Sequence, residues 1–258
     1  MMRAPQQLTL SVVPGIPLIA PGDDLGAIII AAMDKAGLKP HAGDIVVVAQ
    51  KVVSKAQGRY VDLATVVPSA RAEALAVLVS KDPRLVEVIL SESVRVVRQH
   101  PNVLIVEHRS GFIAANAGVD RSNVSASPAR DMVLLLPTEP DSVAKSLRAQ
   151  MEKHFKTPLG IIVSDSFGRP WRRGTVGVAL GSAGIPALND LRGRPDLFGH
   201  SLEVTETAMA DEVAAAASLL MGQADEAHPV VLVSGFAVAT REIPASALIR
   251  PASEDLFR

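Results

Sequence analysis

The stretch Leu159-Gly-Ile-Ile-Val-Ser-Asp-Ser-Phe-Gly-Arg-Pro-Trp-Arg-Arg-Gly174 carries the decisive reading. Leu159 to Val163 is a short apolar run, which predicts a buried strand. Asp165 and Ser166 stand at its exit, and Gly168 and Pro170 are expected to break the strand. Arg169, Arg172 and Arg173 follow. Hard cations take carboxylate and hydroxyl oxygens, and phosphates take guanidinium groups. The stretch therefore reads as a metal-phosphate site at a strand end. The alternative is an acidic strand end followed by a solvated basic loop.

Working outward, Leu8 to Val13 predicts a first strand closed by Pro14-Gly15. Asp23 or Asp24 caps a helix carrying Leu25, Ile28, Ile29, Ala32 and Met33, with Gly37 at its C-terminal stop. Asp44 to Ala49 is a buried strand that is expected to run on through Gln50 to Lys55. Ser69 to Ser80 is an Ala-rich helix, and Asp82-Pro83 opens another reaching about Gln99. Val103 to Glu107 and Phe112 to Asn116 read as paired strands around Arg109-Ser-Gly111. Met132 to Leu136 is a strand, and Pro140 starts a helix with Val143, Leu147 and Met151 on one face. Val176 to Ala179 is a further strand and Gly181 to Gly199 an extended loop. Thr205 to Met221 is a helix with Ala208, Val213, Ala216, Ala217 and Leu220 inward, ended by Gly222. Val230 to Val233 is the last strand, and Arg241 to Arg258 a peripheral tail. Helices and strands mix without regular βαβ alternation, so the class is α+β with some antiparallel sheet. There is no repeat or linker, which makes residues 1–258 a single domain.

Composition narrows the function classes. Apolar residues form 48% of the 258, and only six Phe, one Trp and one Tyr are present, so the core is aliphatic. A net charge of −1 argues against nucleic-acid partners. The absence of cysteine excludes disulfides and thiolate metal sites. No signal peptide or membrane-length run is present, so a soluble cytoplasmic protein is expected.

Three polar clusters interrupt apolar stretches: Asp120 with Asn123, Asp165 with Ser166, and Gln50 with Ser54 and Lys55. Each has a plainer reading. Asp120 and Asn123 are common turn formers, Lys55 fits an exposed strand position, and Gly15 to Leu18 fits a connecting turn. The phosphate-loop and dinucleotide glycine patterns are missing. The six histidines lack zinc-like spacing. Asp165-Ser-Phe-Gly168 differs from the kinase Asp-Phe-Gly by an inserted Ser, and no catalytic-loop motif accompanies it. The residues alone thus reach a candidate metal-phosphate site and no substrate.

Gly15-Ile-Pro-Leu-Ile-Ala-Pro-Gly-Asp-Asp-Leu25, Val53-Ser-Lys-Ala-Gln-Gly-Arg59, Asn116-Ala-Gly-Val-Asp-Arg-Ser-Asn123, Ser164-Asp-Ser-Phe-Gly-Arg169 and Arg172-Arg-Gly-Thr-Val-Gly177 together resemble the coenzyme F-420 γ-glutamyl ligases. So does Ala210-Asp-Glu-Val-Ala-Ala with Leu219-Leu-Met-Gly222. The resemblance runs from about residue 10 to about 236.

It implies an unusual α+β fold, an intertwined homodimer and GTP-dependent addition of L-glutamate to a deazaflavin precursor through an acyl phosphate. Longer members carry a nitroreductase-like flavin domain, and this chain's length implies the stand-alone form. Carried over by motif, Asp120, Asp165 and Ser166 are metal ligands for Mg²⁺ or Mn²⁺, with K⁺ a further candidate ion. Gly15, Ile16, Pro17, Leu18, Lys55 and Asn123 are nucleotide contacts. Gln50, which falls where other members have Ser or Thr, is placed with them. Asp120, Asp165 and Arg169 are the implied catalytic residues, and Glu206 lies near another site segment. The alternatives are a ligase of the same fold using another amino acid or acceptor, and a metal-dependent GTP phosphotransferase.

Overall fold

A computed structural model describes residues 7–124, 131–239 and 241–256. The N-terminal leader reading and the last two residues of the tail fall outside the described residues. In chain order the elements are β1 (Thr9–Val12), α1 (Leu25–Lys35), β2 (Ile45–Ala49), α2 (Gln50–Ala56), β3 (Tyr60–Asp62), α3 (Ala70–Val79), α4 (Pro83–Ser91), β4 (Ser93–His100), β5 (Val103–His108) and β6 (Ile113–Ala115). They continue with β7 (Met132–Leu134), α5 (Pro140–Phe155), β8 (Gly160–Arg169), β9 (Arg172–Ala183), β10 (Asn189–Asp190), β11 (Glu206–Thr207), α6 (Met209–Met221) and β12 (Val230–Ser234).

The main sheet has the order β1-β12-β2-β8-β9. Every pairing in it is antiparallel except that of β2 with β8. The β2 sequence Ile45-Val-Val-Val48 is wholly buried because both sheet faces are covered. Val46, Val48, Ile161 and Val163 pack against α1, α2 and α5. Ile45, Val47 and Ile162 pack against α6 on the other face. A second core joins α3 and α4 to β5 around Val86, Ile89, Leu104 and Val106. Each such aliphatic side chain contributes about 1.5–3 kcal/mol by leaving water.

The α+β class and the mixed sheet agree with expectation. Helix starts are also as read: Asp24, Ser69 and Asp82 accept from the first-turn N–H groups of Ala27, Ala72 and Arg84. Among the described residues no helix is long and apolar enough to cross a membrane.

Six local readings are corrected. Gln50 to Lys55 is helix, not a continuing strand. Strand β12 begins at Val230 opposite Val48, so a longer β2 would outrun that neighbour, and burial of Gln50, Val53 and Ser54 follows helical spacing. The helix opened by Pro83 stops at Ser91 rather than Gln99, because Ser93 to His100 pairs with β5. Strand β8 is not broken at Gly168. It reaches Arg169 and turns through Pro170-Trp171 into β9, which absorbs the strand expected at 176–179. Pro170 sits in the turn, where its missing N–H is not required. The expected loop 181–199 starts later, since β9 runs to Ala183, and it includes β10. Helix α6 begins at Met209, after β11, so Ala208 precedes it; its buried residues are Ala210, Val213, Ala214 and Ala217. The tail from Arg241 is docked at its start: Ile243 bonds Ile185 and Ala187, and Asp141 accepts from Ala245 at 2.9 Å and Ser246 at 3.2 Å.

Candidate active site

The parallel pairing of β2 and β8 places Ala49 opposite Ser164. The next residues therefore stand side by side where β2 ends: Gln50 opens α2, while Asp165 continues in β8, paired with β9 alone among the described strands. Chain crevices beyond the carboxyl ends of parallel strands are where open sheets bind ligands. Asp120 reaches the same place from the second core. Its N–H and C=O exchange 2.9 Å bonds with Leu134, which fixes its backbone.

Gln50 is 2% exposed and joins these parts. Its Nε2 donates to Asp120 Oδ2 at 3.0 Å, while its Oε1 accepts from Ser54 Oγ at 2.9 Å. Lys51 Nζ lies 3.5 Å from Asp120 Oδ2 and donates to Ser122 O and Oγ at 3.3 Å. Lys55 Nζ donates to Asn123 O at 2.7 Å. Asn123 Nδ2 donates in turn to Ala224 O at 2.8 Å. Helix α2 thus presents an amide and two ammonium groups to the loop carrying Asp120 and Asn123, since Lys51 adjoins Gln50 at the helix start and Lys55, four residues after Lys51, shares its face.

Burial pushes the Asp165 carboxyl from 3.8 up to about 7, and the negative charge of Asp120 pushes the same way. The Ser166 N–H, Lys51 and Gln50 oppose them. Burial also raises Asp120, against Lys51 and Gln50. Lys55 is lowered by burial and by its neighbour Lys51. Burial therefore disfavours the charged form of both carboxyls, and their surroundings offset that only in part.

Ser166 N–H donates to Asp165 Oδ1 at 2.8 Å, but strand alternation turns the Ser166 side chain to the other face. There Ser166 Oγ donates to Gln223 Oε1 at 2.9 Å. Asp120 and Asp165 thus flank one side of the β8 edge, and Ser166 with Gln223 the other. Among the described residues no group of three His, Cys, Asp or Glu side chains gathers as a metal cage. A cation here would take its remaining oxygens from hydroxyl, amide or ligand groups.

The other sequence-derived candidates spread outward. Gly15 to Leu18 follows β1, whose end adjoins Val230 and hence the same sheet end as Gln50. Ile16 packs into the core, Leu18 is 90% exposed, and Gly22 N–H bonds Ala56 O on α2 at 2.8 Å. Arg169 sits about 13 Å along β8 from Asp165, from the strand rise per residue. It pairs with Arg172 across the hairpin tip, outside the carboxylate cluster. Glu206 is exposed on β11 and pairs with Arg192 at 3.3 Å. Lys51 and Gln223 join the site without having been singled out from the sequence. Lys51 was legible only as a neighbour of Gln50, and Gln223 only as the residue after a helix-ending Gly.

The profile of a family described as F420-0:Gamma-glutamyl ligase matches residues 15–235. A protein named Coenzyme F420:L-glutamate ligase from Methanothermobacter thermautotrophicus is 42% identical over 253 residues, 97% of this chain and 99% of that protein. One of the same name from Methanocaldococcus jannaschii is 44% identical over 216 residues, 84% of this chain and 85% of its own. Another, from Halobacterium salinarum, is 39% identical over 252 residues, 95% of this chain and 90% of its own.

Proposed function

The chain belongs to the F420-0:gamma-glutamyl ligase family, and from that premise we propose that it joins L-glutamate to the deazaflavin precursor of coenzyme F-420, using GTP. The observation that carries this reading is the Asp120–Gln50–Asp165 cluster at the carboxyl ends of β2 and β8, with Asp165 held up to about 7.

Ordinary carboxylates do not condense with amines near neutral pH, because an oxide is a poor leaving group. In the proposed reaction a carboxylate oxygen of the precursor attacks the γ-phosphorus of GTP. The bond to the bridging oxygen breaks and GDP departs, leaving an acyl phosphate. The glutamate amine then attacks the acyl carbon, phosphate leaves and the nitrogen loses its proton.

The donor chemistry fits Mg²⁺ or Mn²⁺: two neighbouring carboxyl groups whose ionised forms a cation would favour, with the Ser166 hydroxyl on the opposite side of the same strand. Asp120 and Asp165 would hold an ion on one side of β8, which when bound supplies charge screening and alignment for phosphate oxygens, and the Ser166 hydroxyl would serve as a metal ligand only on the opposite side, beside Gln223. Lys51 opposes the burial that raises Asp120 and so favours its ionised form. Lys55 neutralises nucleotide phosphate, and Asn123 and Gly15 to Leu18 contact the nucleotide. Arg169, Arg172 and Arg173 at the hairpin tip take the anionic groups of the precursor. A homodimer is part of the same proposal, and sedimentation equilibrium at twice the 27.1 kDa chain mass is its expected result.

The test is mass spectrometry of a reaction containing the protein, GTP, Mn²⁺, L-glutamate and the glutamate-free precursor. Product heavier by glutamyl units is expected. GDP without such product would favour another acceptor or amino acid, and neither product nor GDP would overturn the reading.

A further inference from the structure

Strand β8 loses one of its two neighbours where its polar residues begin. Pairing with β2 ends at Ala49 opposite Ser164. From Asp165 to Arg169 the ladder partner is β9 alone among the described strands.

The register of β9 changes at that same point. Val163 faces Gly181 and Ser164 faces Ala179, so Leu180 is an extra residue, a β-bulge. Two carboxylates mark the bulge on the outer edge of β9. Ser182 N–H donates to Asp141 Oδ1 and Ala179 N–H to Asp211 Oδ1, each at 2.8 Å. Outward N–H groups on a regular strand are an even number of residues apart. Positions 179 and 182 are three apart, and the bulge supplies the odd residue.

Asp211 is well placed to hold this irregularity. It is half-buried in the first turn of α6, and burial raises its carboxyl while the Ala179 N–H lowers it. The helix is pressed against β9 without room to slide. A Cβ on Gly177 would stand 2.3 Å from Ala214 O.

We infer that Asp211 is a positioning residue for the candidate active site: its bond to Ala179 pins the Leu180 bulge, and the pinned bulge fixes the β9 ladder that, alone among the described strands, supports Asp165 and Ser166. The inference rests on Asp165 and Ser166 being site residues, as proposed above. Without the pin, the register from Ser164 onward is weakly specified, because a one-residue slip of β9 exchanges its faces. Asp211 touches no reacting group in this account.

The test compares Asp211→Ala with Asp211→Asn. Alanine removes the acceptor at a helical position it favours, so the fold is retained. Asparagine keeps a carbonyl oxygen without the charge. Amide hydrogen exchange across residues 164–169 is read against 160–163, which β2 also supports. Exchange about tenfold faster in the Ala variant, confined to 164–169, is the expected result. Mn²⁺ affinity and kcat should each fall about 10–100-fold, as for residues that orient ligands from behind. Asp211→Asn should restore both to within about threefold, because its carbonyl can accept the same bond. Unchanged exchange at 164–169 in Asp211→Ala overturns the inference, whether or not the protein is a ligase, because exchange needs no substrate. Equal damage in the Ala and Asn variants also overturns it, since charge rather than the bond would then matter. Local exchange as expected in a protein that makes no glutamyl product would uphold the pin and sink the ligase reading.

Discussion

Gln50 Nε2 donates to Asp120 Oδ2 at 3.0 Å across 70 residues of sequence. That bond links the helix following β2 to a loop from the second core. It leaves Gln50 Oε1 to accept from Ser54, so both ends of a buried amide are satisfied. Gln50→Leu should therefore destabilise the protein by about 1–3 kcal/mol, by orphaning Ser54 Oγ and a partly buried carboxylate. Urea unfolding measures this, and a change under about 0.5 kcal/mol would show the bond to be incidental.

Stability of the metal-free protein should fall as pH rises. Asp165 has its carboxyl raised from 3.8 to about 7 in the folded chain, so between those values the folded state binds the extra proton. The contribution is fully present below the unfolded value and is lost as pH rises through the folded one. It amounts to at most about 4 kcal/mol. Asp165→Asn should flatten the decline in melting temperature between pH 4 and 8 while abolishing ligation. A wild-type curve that rises over that range would contradict the assignment.

Cation binding should release protons near neutrality. A ligating carboxylate must be ionised, and Asp165 is partly protonated at about pH 7. Calorimetric titration of Mn²⁺ in buffers of different ionisation enthalpy should detect a fraction of a proton at pH 7, diminishing by pH 9. In Asp165→Asn that release should vanish together with most of the affinity.

Lys51 and Lys55 should separate in their effects. Lys51 lowers both Asp120 and Asp165. Lys51→Met should move the acidic limb of the kcat profile upward by about one pH unit. Lys55 instead holds Asn123 O at 2.7 Å. Lys55→Met should raise the KM for GTP and leave that limb in place. Identical profiles for the two variants would merge their roles.

Two glycines of the β8–β9 hairpin should behave oppositely. Gly177→Ala drives a methyl to 2.3 Å from Ala214 O, a backbone atom that cannot step aside. A loss of about 1–3 kcal/mol is expected. A Cβ on Gly168 meets nothing within 4 Å and its φ is not in the left-handed region. Gly168→Ala should be neutral, or stabilising by about 0.4–1 kcal/mol through the unfolded chain. Thermal melts of the two variants provide the comparison.

Several parts of the fold were legible because their signals are local. The apolar runs Ile45 to Val48, Ile161 to Val163 and Val230 to Val233 became buried strands, and Asp24, Ser69 and Asp82 became helix caps. The segment Gln50-Lys51-Val-Val-Ser54-Lys55 satisfies a helical and a strand pattern about equally, and the end of β12 decided between them. Ser93 to about Gln99 continues the helical pattern in the sequence, because its strand character depends on pairing with β5. Gly168 and Pro170 suggested a break, yet the hairpin accommodates one in the ladder and the other in the turn.

The sequence by itself determined which groups were available: carboxylates at Asp120 and Asp165, hydroxyls at Ser54 and Ser166, cations near each, and an aliphatic core to exclude water around them. The motifs also identified the family to which the chain belongs. Only the tertiary structure decided that Gln50 bridges to Asp120, that Lys51 and Gln223 join them, that the arginines stand away at a hairpin tip, and that Asp165 and Ser166 face opposite sides of one strand. Side-chain chemistry and hydrophobic period belong to each residue and its neighbours in the chain. Register and burial belong to segments far apart in sequence, where packing selects among arrangements that local propensity leaves nearly equal in free energy.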